Sequence, residues 1–164
     1  MKHIFFFDLD GTLTDSGEGI LNCVRHALDL QNWPYPSDEN LRRFIGPPLI
    51  DSFMDIAGMN KQQAQQAVRD YRARYSTGGL FENRVYDGIP DVLKALNDAG
   101  KRCFMVTSKP EAFSVRIADK FGLTPYLESI CGATLDGKMD SKEQIVELAL
   151  QRAGNPDPSD VEMI

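Results

Sequence analysis

The sequence has few cysteines and no excess of positive charge. Its three cysteines, Cys23, Cys103 and Cys131, lie in apolar segments and form no Cys-x-x-Cys pair. This usage predicts reduced, buried thiols in a cytoplasmic protein and no disulfide framework. The net charge of −6 and the pI near 4.9 argue against a nucleic acid or an anionic membrane surface as partner.

Long apolar runs, internal repeats and low-complexity tracts are also missing. The N-terminal run Ile4–Phe7 is too short for the core of a signal peptide, and no other run approaches the length that crosses a membrane. With 42% hydrophobic and 26% charged residues, the composition is that of an ordinary soluble globular protein. A chain of 164 residues can form one domain, or one domain with a small insertion.

The pattern of apolar residues changes twice along the chain. Residues 16–82 show helical spacing and turn signals without a convincing strand, which predicts an inserted helical domain. Residues 1–15 and 83–164 contain apolar strands that alternate with helices, which predicts one α/β core built on a doubly wound parallel sheet. Ligands of such sheets bind at the carboxyl ends of the strands.

Two carboxylates follow the first strand directly. The apolar run Ile4–Phe7 stops at Asp8, Asp10 is two residues further on, and Gly11 permits a sharp turn. If strand geometry persists, the two carboxylates point the same way. Their mutual repulsion would be relieved by a divalent cation, and Mg²⁺ suits such oxygen ligands.

The stretch Asp8-Leu9-Asp10-Gly11-Thr12, followed by Asp15-Ser16, resembles the first motif of the haloacid dehalogenase superfamily. The resemblance implies a phosphatase in which Asp8 is the nucleophile and forms an aspartyl-phosphate, while Asp10 acts as general acid and base. It also implies Mg²⁺ bound by Asp8 and by the backbone carbonyl of Asp10. A dehalogenase is disfavoured, because that branch of the superfamily lacks the second acidic residue.

The resemblance extends to two further motifs. Thr107 and Ser108 come after a buried strand and before a helix, where the superfamily places the residues that hydrogen-bond the phosphoryl group. Lys142, at the start of a later helix, matches the lysine that neutralises the phosphate and the nucleophile. Lys138 and Lys109 are alternatives for a phosphate-binding lysine.

The helical insertion resembles the superfamily's cap, which closes over the site, excludes water and selects the substrate. Its stretch Phe44-Ile45-Gly46-Pro47-Pro48-Leu49 is similar to one in phosphoglycolate-phosphatase-like members. We therefore expect a small phosphorylated metabolite as substrate, phosphoglycolate-like or a nucleotide monophosphate. A sugar phosphomutase of the same superfamily and a non-catalytic phosphate-binding or interaction module are the alternatives. The oligomeric state stays open.

The superfamily's fourth motif, an acidic pair after the fourth strand, has no counterpart in this sequence. The chain reaches the apolar segment Val161–Ile164, and Glu162 within it is a poor substitute. The sequence therefore predicts a truncated version of a longer phosphatase, with weak Mg²⁺ affinity and little or no turnover.

Overall fold

A computed structural model describes residues 2–164. Its residues form two compact units, one comprising the residues up to Asp15 together with Arg84–Ile164, the other Ser16–Asn83. In the described residues, no helix is both long and apolar enough to cross a membrane.

The first unit is built on a four-stranded parallel sheet. Its strands are β1 (Ile4–Phe7), β4 (Arg102–Pro110), β5 (Ser129–Ala133) and β6 (Val161–Met163), in the spatial order β5-β4-β1-β6. All three pairings are parallel, and Phe7 of β1 lies opposite Met105 of β4. The carboxyl ends of the strands therefore share one edge of the sheet, the edge at which Asp8 follows β1.

Helices cover both faces of this sheet. The three are α5 (Ile89–Asp98), α6 (Glu111–Lys120) and α7 (Lys142–Arg152). Phe104 of β4 packs in one buried cluster with Ile145 and Ala149 of α7. On the opposite face, Asn97 of α5 donates a hydrogen bond to the Cys103 thiol. This arrangement confirms the predicted doubly wound α/β core.

The second unit is helical. It contains α1 (Gly17–Leu30), α2 (Asp38–Arg42), α3 (Leu49–Asp55) and α4 (Lys61–Thr77). Ala64 and Ala67 of α4 are fully buried, and α4 packs against both α1 and α3. Arg74 of α4 forms an ion pair of 2.6 Å with Glu82. This contact connects the C-terminal residues of the unit with α4, its longest helix.

Two details of the first unit differ from the sequence prediction. A small antiparallel pair, β2 (Thr14–Asp15) with β3 (Arg84–Val85), joins the points where the chain leaves this unit and returns to it. Strand β4 does not end at Val106 but continues to Pro110, with an irregularity in its pairing after Thr107. Both elements are set by partner strands distant in sequence, which local residue preferences do not reveal.

The three cysteines are buried, and none of them forms a disulfide. Burial raises the pKa of the Cys103 and Cys131 thiols above their ordinary value. These two thiols therefore stay protonated near neutral pH and act as small apolar side chains of the core.

Candidate active site

Strand β1 ends at Phe7, so the regular strand geometry expected for Asp8 and Asp10 does not persist. The chain turns instead, and the Leu9 carbonyl accepts hydrogen bonds from the backbone N–H groups of Leu13 and Thr14, both at 3.0 Å. Gly11, with φ of 81°, supplies the left-handed conformation that this turn requires. The turn holds both aspartates at the carboxyl end of β1.

The carboxylate of Asp8 is fixed by two donors. Its Oδ1 accepts a hydrogen bond of 2.7 Å from the Leu9 backbone N–H, and its Oδ2 accepts one of 2.8 Å from Lys142 Nζ. The same amine donates to the Val106 carbonyl at 3.0 Å. Lys142 thus connects the loop after β1 with the end of β4, and about a third of each side chain in the ion pair is exposed.

Lys142 owes its place to the local sequence around the start of α7. Ser141 caps the helix through its hydroxyl, which accepts from the Gln144 N–H, and the Gln144 side chain accepts from the Ser141 N–H. This capping box fixes where the helix begins. It makes Lys142 the first helical residue, from which its side chain reaches Asp8.

Asp10 forms a separate ion pair that no sequence pattern indicates. Lys109 Nζ lies 2.9 Å from Asp10 Oδ2. No local pattern identifies this pair, because the pairing of β4 becomes irregular after Thr107 and Asp10 lies far away in the sequence.

The other predicted phosphate-binding residues occupy contrasting positions. Thr107 is buried, and its hydroxyl accepts a hydrogen bond of 3.2 Å from the Lys109 N–H. Ser108 is exposed in the segment that leads to α6. Lys138 lies in an exposed loop, 3.0 Å from Asp136. The structure therefore brings Lys142, and not Lys138, into contact with Asp8.

The site offers oxygen ligands of the type that Mg²⁺ prefers. Asp8 supplies a carboxylate that is about a third exposed, and the backbone carbonyl of Asp10, two residues further on, is a second oxygen. Mg²⁺ is commonly held by one or two carboxylates together with water and substrate phosphate oxygens, so these residues fit the ion. Across the described residues there is no group of three or more His, Cys, Asp or Glu that could hold a metal.

Comparison with known proteins identifies a matching family and several similar proteins. A family model described as haloacid dehalogenase-like hydrolase matches residues 5–164. The chain is 43% identical over 148 residues to a 5′-nucleotidase of Pseudomonas aeruginosa, covering 90% of this chain and 67% of that protein. It is 39% identical over 147 residues to the tyrosine-protein kinase PtkA of Mycobacterium tuberculosis, covering 90% of this chain and 50% of that protein.

Among solved structures, the chain is similar to a protein described as a predicted phosphatase from Clostridium acetobutylicum. The TM-score is 0.89 and the identity 39%, with 99% of this chain and 75% of that chain covered. The chain thus spans about two thirds of the length of the Pseudomonas protein and half that of the mycobacterial one.

Proposed function

Since the chain belongs to the haloacid dehalogenase-like hydrolase family, we propose that it hydrolyses small phosphorylated metabolites by two phosphoryl transfers at Asp8. The observation that carries the proposal is the contact between Asp8 and Lys142, which holds a nucleophilic carboxylate and a cation together at the carboxyl end of the sheet. Such a pair is suited to receive a phosphoryl group and to balance its charge.

In the first step an oxygen of Asp8 attacks the phosphorus, and the bond from phosphorus to the leaving oxygen breaks. Asp10 gives a proton to that oxygen, so the products are an alcohol and an aspartyl-phosphate at Asp8. In the second step water attacks the same phosphorus while Asp10 takes its proton. The bond to Asp8 then breaks, and inorganic phosphate leaves.

The remaining residues stabilise charge during both steps. Lys142 faces the oxygens of the transferring group, and Thr107 and Ser108 supply hydroxyl and backbone donors from the end of β4. Mg²⁺, held by the Asp8 carboxylate and the backbone carbonyl of Asp10, would neutralise negative charge on the phosphoryl oxygens when bound.

The substrate class that we propose is a nucleoside monophosphate or a phosphoglycolate-like compound. The name of the Pseudomonas relative, 5′-nucleotidase, supports the former. The sequence resemblance of residues 44–49 to phosphoglycolate-phosphatase-like proteins supports the latter. We assign the choice between such substrates, and the exclusion of water, to the helical unit Ser16–Asn83.

The test is release of inorganic phosphate from a panel that contains nucleoside 5′-monophosphates, phosphoglycolate and a hexose phosphate, with and without Mg²⁺. At high protein and Mg²⁺ concentrations and after long incubation, we expect slow, Mg²⁺-dependent release by the wild-type chain and none by Asp8→Asn. Asp91→Asn, an exposed change in α5, is the matched control and should behave as wild type. Conversion of the hexose phosphate to an isomer would instead indicate a phosphomutase, and no release from any substrate would contradict the proposal.

A further inference from the structure

The ion pair between Lys109 and Asp10 is more enclosed than the pair at Asp8. Only 7% of the Lys109 side chain and 25% of the Asp10 side chain are exposed, against 36% and 34% for Lys142 and Asp8. Lysine side chains are seldom buried without a specific partner. We therefore look for the function of Lys109 in its contact with Asp10.

The backbone of Lys109 is fixed on both sides. Its N–H donates to the Thr107 hydroxyl, and its carbonyl lies against Gly132 of β5, so closely that a Cβ placed on Gly132 would be 2.6 Å from that oxygen. Such a close approach leaves the peptide groups of Lys109 little freedom. The side chain therefore extends towards Asp10 from a rigid base.

The two carboxylate oxygens of Asp10 have different surroundings. Oδ2 lies 2.9 Å from Lys109 Nζ, whereas Oδ1 is buried without a hydrogen-bond partner in the part of the chain that the structure describes. A buried oxygen without a partner costs free energy, and such groups are rare unless they serve a function. The contact with Lys109 thus occupies one oxygen and leaves the other for a reacting molecule.

We propose that Lys109 is a positioning residue that holds Asp10 by Oδ2 and so directs Oδ1 towards the leaving oxygen and the attacking water. This inference rests on the proposed function. It assigns to Lys109 a partner in the protein, Asp10, in place of the substrate phosphate. Oδ1 then carries the proton in both steps, while Oδ2 stays bound to the lysine amine.

Substrates with different leaving groups test this assignment. An alkyl leaving group, as in a nucleoside 5′-monophosphate, needs a proton as it departs, whereas 4-nitrophenolate leaves without one. We expect Lys109→Met to lower kcat/KM for the nucleotide by about 10²-fold or more, the size of a general-acid contribution, and to lower it much less for 4-nitrophenyl phosphate. Lys109→Arg, which keeps a charged donor, should recover part of the loss.

A phosphate-binding or merely structural role would lower kcat/KM for both substrates by the same factor, and that result would overturn the proposal. Lys94→Met is the matched control, because it also removes a lysine–aspartate pair, with Asp98, but on the exposed surface of α5. It should leave both substrates unaffected. If Lys109→Met does not fold, Lys109→Gln, which keeps an N–H donor, replaces it in both measurements.

Crystal structures of the wild type and Lys109→Met decide the same question without turnover. The Asp10 carboxylate should leave its wild-type position while the Asp8–Lys142 contact is retained. An Asp10 side chain that stays in place would overturn the proposal. If the wild-type chain releases phosphate from neither substrate, the proposed function fails, and the two crystal structures alone decide whether Lys109 positions Asp10.

Discussion

The close approach at Gly132 gives a prediction that connects packing with the site. In Gly132→Ala, the new Cβ would lie 2.6 Å from the Lys109 carbonyl oxygen and 2.7 Å from both N and Cα of Glu111. An ordinary contact begins at 3.4 Å, so these atoms must separate by about 0.8 Å. All three are backbone atoms, and no side-chain rotation can relieve the overlap.

The expected cost follows from this geometry. Overpacking of this kind costs about 1–3 kcal/mol, and replacing glycine returns about 0.4–1 kcal/mol by restricting the unfolded chain. The net loss lies between about 0 and 2.6 kcal/mol, and its centre, about 1.3 kcal/mol, corresponds to a fall in Tm of about 3–5 °C for a chain of this size. Because the displaced segment includes Lys109, we also expect the loss of kcat/KM to be greater for the alkyl substrate than for the aryl one.

Thermal unfolding followed by far-UV circular dichroism measures the first effect. Gly78→Ala is the matched control, since a Cβ there meets no atom within 4 Å and its φ is not positive. Its Tm should equal or slightly exceed that of the wild type, because the same restriction of the unfolded chain applies without a clash. Equal Tm values for Gly132→Ala and Gly78→Ala would show that the backbone after Thr107 can move away from residue 132 at no cost in stability. That result would refute the argument that the position of this segment is fixed.

Three further predictions concern charges. Lys142→Met should lower kcat by about 10²–10³-fold, as the loss of one stabilising donor does. A larger loss of kcat in Lys138→Met would show that Lys138, and not Lys142, is the phosphate-binding lysine. Mg²⁺ should bind more tightly with inorganic phosphate present in calorimetry, because both carboxylates of the site already contact a lysine, and binding should fall in Asp8→Asn. Hydrogen bonds from Arg102 lower the pKa of Glu128 below its usual 4.5, so the stability from this pair is present above that pH and is lost as pH falls through the lower folded pKa. The difference in Tm between wild type and Glu128→Gln should therefore be largest near neutral pH and vanish in acid.

The sequence was informative where a local pattern determines the structure. The run Ile4–Phe7 identified the first buried strand, and the carboxylate that ends it marked the edge of the sheet. Lys142 was expected at the start of a helix, and the capping box of Ser141 and Gln144 places it there. In each case neighbouring residues carry the physical cause, such as apolar burial or a helix cap.

Features that depend on contacts between distant segments were not predicted. The extension of β4 to Pro110 depends on pairing with β5, and the requirement for glycine at 132 depends on how closely the segment after Thr107 passes. The partner of Lys109 is equally a product of the fold, because Asp10 lies 99 positions earlier in the chain. The expectation of weak Mg²⁺ affinity and of little or no turnover stays a prediction.

The most direct test of the central claim is detection of a phosphoryl group on Asp8. The protein is mixed with substrate and Mg²⁺, quenched in acid and digested with pepsin at low pH, where an acyl phosphate survives, and the peptides that contain Asp8 are measured by mass spectrometry. We predict a peptide heavier by one phosphoryl group in the wild type, a larger amount of it in Asp10→Asn with an aryl phosphate, and none in Asp8→Asn. Phosphate release without a labelled peptide, or a label on a different residue, would contradict the account.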